Sequence, residues 1–137
     1  MKRLALLLFI LGFSFAHEHG KEQELTLKQV MQMVSLSAQK MLYGFMLSND
    51  ALIMEGAKEI AEHPMPKGGP LQYIDPSRRE EFLRLMPSFE RQVHGSAEEV
   101  IRFIKEGKKE EALKAYTDML QGCMSCHELF RDRIRGR

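Results

Sequence analysis

The chain has no tryptophan, only two cysteines and no excess of either charge: 20 Lys and Arg stand against 19 Asp and Glu, a formal net charge of +1. Two cysteines cannot build a disulfide framework, so the fold must rest on a buried apolar core. Charges so evenly balanced leave no basic footprint for nucleic acid. Little of the sequence alternates apolar with polar residues, the pattern a half-buried strand requires. Neither an internal repeat nor a low-complexity tract is present. What is there is 137 residues, 44% apolar and 28% charged. That is enough for one modest domain and too apolar for a disordered chain. Ten methionines are the other unusual count.

The N-terminus reads as an export signal over residues 1–16. Lys2 and Arg3 give a short basic start, and Leu4 to Phe15 run apolar with only Gly12 and Ser14 interrupting. Ser14 and Ala16 supply the small residues before a cut, and His17-Glu18-His19 is abruptly polar. The run is shorter than the roughly 20 residues that span a bilayer. Cleavage after Ala16 therefore leaves residues 17–137 as a mature, slightly acidic domain with no stable membrane span, delivered to a bacterial periplasm. An uncleaved N-terminal anchor is the alternative.

The remainder predicts an all-α fold. A first helix runs from the cap Thr26 to about Leu47, with Leu27, Met31, Val34, Ala38, Met41 and Phe45 as its apolar face. Ser48-Asn49-Asp50 offers a turn and a new cap. A second helix, carrying Ile53, Ala57 and Ile60, runs to His63, where Pro64 stops it. Residues 64–76 hold four of the five prolines together with Gly68 and Gly69 and read as a loop. Ser77 to Glu80 fits a capping box opening a short helix to about Met86. Pro87 breaks or kinks it, and a third long helix continues to Glu106 with Phe89, Val93, Val100 and Ile104 inward. Gly107 separates it from a last helix over about 108–135. There Leu113, Tyr116, Leu120, Cys123, His127, Phe130 and Ile134 recur at alternating spacings of three and four. Such stripes bury best in an antiparallel four-helix bundle. The outer faces of the first two helices show no further apolar stripe.

Cys123-Met124-Ser125-Cys126-His127 is C-x-x-C-H, the attachment pattern of c-type haem. On a helix, positions i, i+3 and i+4 share one face. Two thiols so placed reach the two vinyl groups of one porphyrin, and the adjacent imidazole comes up beneath the iron. A thioredoxin-like dithiol would instead sit at the start of a helix after a strand. A zinc site would need further ligands, and only His17, His19, His63 and His94 remain, at scattered positions. His94 reads as a surface or partly buried histidine. No acid–base pair or nucleophile accompanies the motif, which points away from an enzyme.

Gly122-Cys123-Met124-Ser125-Cys126-His127-Glu128-Leu129-Phe130-Arg131 resembles the C-terminal haem motif of class II cytochromes c, the cytochrome c′ family. Glu106-Gly107-Lys108-Lys109-Glu110-Glu111-Ala112 resembles that family's turn between the last two helices. The likeness is specific over about residues 97–133 and general elsewhere. Class I cytochromes carry the motif near the N-terminus of a different fold. The resemblance implies an antiparallel four-helix bundle with one covalent haem c at its C-terminal motif, a periplasmic location, redox partner proteins and frequent homodimers. It assigns His127 as the proximal iron ligand. Phe130 is expected beside the haem, and Arg131, one turn past His127, near a propionate or in solvent.

Within that family the opposite face of the iron meets the first helix. A methionine there gives a six-coordinate, low-spin electron carrier, and an apolar residue gives five-coordinate iron that binds gases such as nitric oxide. A thioether ligand raises the reduction potential. The first helix offers Met31, Met33, Met41 and Met46. With antiparallel packing, His127 stands level with a residue near Val34. Met31 shares the apolar face at that level and is the expected ligand, with Met33 and Met41 as alternatives. If none ligates, Val34 shields the open site and the methionines fill the core.

Overall fold

Thr26 accepts the Gln29 backbone N–H on its hydroxyl, while its own N–H donates to the Gln29 side chain. This capping box opens α1, Leu27–Met46, at the expected residue. The structure, a computed structural model, describes residues 24–131. The export signal over 1–16, His17, His19 and Ile134 lie outside the described residues. α1 ends with Ser48 at φ 52°, where the Asn49 N–H reaches the Gly44 carbonyl at 2.8 Å and Ser48 N–H reaches Phe45 at 3.2 Å. The Asn49 side chain then caps α2, Asp50–Ala61, through the Leu52 N–H.

Pro70–Tyr73 and Pro76–Arg78 form 3-10 turns in the connection that follows. The Asp75 carboxylate accepts both the N–H and the hydroxyl of Ser77, at 2.8 and 2.5 Å. With its hydroxyl engaged there, Ser77 does not form the expected capping box with Glu80. Asp75 caps the 3-10 turn Pro76–Arg78, and Arg78, at the N-cap of the helix that follows, makes no side-chain capping bond. α3, Arg79–Glu90, runs through Pro87 without a break. Pro87 and Leu83 both face outward, so the carbonyl that proline leaves without its helix partner lies on the solvent side. Arg91–Gly95 forms a π turn, and α4, Ser96–Lys105, completes the third long run. Gly107 at φ 73° ends it, with Lys108 N–H on Phe103 and Gly107 N–H on Ile104, the paired bonds of a Schellman cap. α5, Lys109–Cys126, leads into a second π turn, His127–Arg131. Four long helical runs and no strand among the described residues make the chain all-helical and compatible with a helical bundle.

α2 packs on α1 and α4, and α4 packs on α5. Small residues set the first spacing: a Cβ on Gly56 would lie 2.6 Å from the Ser37 carbonyl and 2.7 Å from Met41 Cγ. Met41, Ile53, Ala57, Ile60, Ala97, Val100, Ala112 and Met119 form the interior of the main core. The backbones of α1 and α5 stand further apart and are bridged by Tyr116. Its hydroxyl donates to the Ala38 carbonyl at 3.1 Å, and its ring lies 5.5 Å from that of Phe45. Outside, Lys40 joins Glu55 and Glu59, and the Ser37 hydroxyl donates to Glu59 at 2.7 Å.

Two expected faces hold over most of their length, with Val34, Ala38, Met41 and Phe45 of α1 and Tyr116, Leu120 and Phe130 of the last run against the apolar clusters, and fail at Met31 and Leu113. On α1 the buried residues are Val30, Ser37, Met41 and Gly44, and Met31 is 37% exposed. On α5 they are Ala112, Ala115, Tyr116, Met119 and Gly122, and Leu113 is 46% exposed. In both helices small residues (Ser37 and Gly44, Ala112, Ala115 and Gly122) share the core side with Val30, Met41, Tyr116 and Met119, while Met31 and Leu113 are turned aside. The outer face of α1 also differs from expectation: Leu36, Leu42, Tyr43, Met46 and Leu47 are all exposed. No helix among the described residues is long and apolar enough to cross a membrane.

Candidate functional site

The last turn of α5 seats the cysteine motif against the third helical run. Gly122 is buried there, and a Cβ on it would lie 2.9 Å from Gln92 Cγ and 3.0 Å from Val93 Cγ2. The residue before the motif is therefore held to glycine by the first π turn. Cys123 and Cys126 follow on one face of the same helix, and His127 begins the second π turn. Both thiols are free and half-buried, and His127 beside them is half-buried.

Burial pushes the Cys123 thiol up, and burial aided by the Cys123 charge pushes Cys126 up to about 11. Both sulfurs are thus neutral S–H groups near pH 7. That is the reverse of a redox dithiol, whose attacking sulfur is held as thiolate at a helix N-terminus. Among the described residues no three His, Cys, Asp or Glu side chains converge as a structural zinc ion would need.

Beyond the motif, α5 enters a second apolar cluster built on Ile74, Phe82 and Phe130, against which Cys126, Phe89 and Leu129 pack. Phe130 meets Phe82 edge-on with centroids 5.1 Å apart and Phe89 at 6.2 Å. Arg78 lies over the Phe130 ring at 5.1 Å and donates from Nη1 to the Leu129 carbonyl at 2.8 Å. Glu81 holds the same guanidinium at 2.6 Å. Arg131 is exposed at the end of the turn.

Of the methionines on α1, Met41 is fully buried in the main core, Met33 and Met46 are exposed, and Met31 sits beside the buried Val30. Sequence reasoning missed three contributors. Arg78 is 51 residues from the carbonyl it holds, and the sequence around Gly122 does not show its close approach to Gln92 and Val93. His63 and His94, scattered in sequence, stand with their Nε2 atoms 3.0 Å apart. No local pattern announces any of these contacts, because each depends on how helices cross. Comparison of the chain with known protein families, curated proteins and solved structures found no match.

Proposed function

We propose that the protein is a periplasmic class II c-type cytochrome that carries single electrons between redox partner proteins. The observation that carries this reading is the Cys123–Cys126–His127 face: two half-buried thiols and an imidazole at positions i, i+3 and i+4 of one helical surface. These residues fit one haem c, with Cys123 and Cys126 as thioether anchors and His127 as the axial base. The haem iron supplies the one-electron chemistry. The chain supplies covalent attachment, exclusion of water by the aromatic cluster against Cys126, and a helical frame that limits reorganisation.

An antiparallel bundle is part of this proposal. Lys109 at the start of α5 pairs with Asp50 at the start of α2 at 2.9 Å, and Lys67, past α2, bonds Leu25 ahead of α1 at 2.7 Å. The motif then lies level with the first turns of α1. There Met31 offers a thioether without unpacking the core, whereas Met41 would have to leave it. We assign Met31 as the distal ligand and Arg131 to the haem edge. The exposed apolar side chains of α1 support pairing of two copies.

The test is a denaturing gel stained for haem, followed by the optical spectrum of the purified protein. Haem should stay with the chain, and Cys123→Ala or Cys126→Ala should lower its retention. A chain that carries no covalent haem after export with a haem-attachment system would sink the reading. A low-spin spectrum with a far-red methionine–iron band, lost in Met31→Ala, supports the carrier. High-spin ferrous iron that takes up CO supports the gas-binding alternative.

A further inference from the structure

Separate from the cysteine motif, two histidines from different elements are brought head to head. His63 follows α2 just past its cap Glu62, and His94 belongs to the π turn Arg91–Gly95. Their Nε2 atoms are 3.0 Å apart, with the rings crossed at 80°. The opposite nitrogen of each ring is already engaged. His63 Nδ1 lies 3.0 Å from the Pro64 carbonyl, and His94 Nδ1 lies 3.1 Å from Glu90 Oε2. A carbonyl and a carboxylate only accept, so each Nδ1 carries the hydrogen of a neutral imidazole. With both rings neutral the two Nε2 lone pairs converge, and a shared cation, a proton or a metal ion, relieves their repulsion.

We propose that His63 and His94 form a binding site for a divalent transition-metal ion, with the two Nε2 atoms as ligands and water completing the shell. Metal-ligating histidines ordinarily donate their second N–H to a carbonyl or carboxylate, which fixes tautomer and ring orientation. Both halves of that pattern are present. At the ~2.0–2.1 Å of imidazole–zinc bonds, nitrogens so spaced subtend about 95° at the metal, and a few tenths of an ångström more gives a tetrahedral angle. Both side chains are half-buried, which leaves an open side for water. The π turn matters because its extra residue re-aims His94 relative to a regular helix.

The probe is zinc ion alone, titrated by competition with a chromophoric chelator. Every chain compared keeps the same N-terminus and cysteines, so that other sites cancel. Wild type should bind one equivalent more than His63→Asn or His94→Asn. Glu90→Gln should keep the stoichiometry but weaken binding at that site by about 10-fold or more. Equal stoichiometry and affinity in wild type and both histidine variants overturns the site, leaving a pair that shares a proton only. Imidazole nitrogen shifts in the wild-type NMR spectrum decide without relying on a variant's folding: zinc should move both His63 and His94 signals, and unmoved signals overturn the proposal. None of these readouts depends on haem.

Discussion

The two apolar clusters differ in what fills them and in what they hold. The main core is mostly aliphatic, with Tyr116 as its buried aromatic, alanine, glycine and serine on the helix faces that meet, and Met41, Ile53, Ile60 and Met119 filling the space between. The second is aromatic and borrows its walls from the 64–76 connection, with Ile74 and Leu71 against Phe82, Phe89 and Phe130. The second packs against the motif cysteine Cys126. Close backbone approach fixes the positions of helices; stacked rings and a guanidinium fix the end of one helix. Stability therefore concentrates in the first region, and control of the motif's surroundings in the second.

Four changes would break or sharpen that contrast. The largest effect is expected for Ile60→Ala in the main core, a loss of about 2–5 kcal/mol from a fully buried aliphatic site. Denaturant unfolding should show it; on the haem-binding function proposed above, haem retention and the optical spectrum should be unchanged in whatever remains folded. Phe130→Leu should cost less, about 1–2 kcal/mol, since volume is largely kept and the aromatic edges are lost. Its optical spectrum should nonetheless shift, and if Ile60→Ala shifts it more, the division between the clusters fails.

Ser48→Gly should raise stability by about 0.5–1 kcal/mol, because a side chain at φ 52° is strained where glycine is not. A lower melting temperature would contradict this. The smallest effect concerns acid. Hydrogen bonds from Lys40 and then Ser37 hold the Glu59 carboxyl below its usual value of 4.5. Because the folded value lies below the unfolded one, the contribution is present above about pH 4.5 and is lost as pH falls through the folded value. Glu59→Gln should flatten this part of the acid unfolding curve, modestly, as the carboxylate is partly exposed.

Much of the fold was legible because its punctuation is local. Thr26, Asn49 and Gly107 each mark a boundary through chemistry confined to a few neighbours, and the structure uses all three as expected. The facing of helices was less legible. Bulk and hydropathy favour Met31 and Leu113, but contact between backbones favours Ser37, Gly44, Ala112 and Gly122. Size decides which residue fits between two helices, and that is known only once they cross. At the motif, the order Cys123, Cys126, His127 was plain. The Arg78 brace and the His63–His94 pair were not, since 51 and 31 residues separate their partners.

The two π turns leave a trace in the phase of the inward residues. Along the third run these fall at Phe82, Met86, Phe89, Val93, Ala97, Val100 and Ile104, alternating fours and threes except for two fours around Val93. On α5, Met119, Gly122, Cys126 and Phe130 again end in two fours. At 100° per residue, eight residues overshoot two full turns by about 80°. A wider turn absorbs that surplus and lets one continuous rod present its first half to the rings and its second half to the aliphatic interior. Deleting one residue from Arg91–Gly95 would tidy the hydrogen-bond ladder while swinging Phe82 and Phe89 away from Phe130. The irregularity works as a gear between two meshes of different pitch.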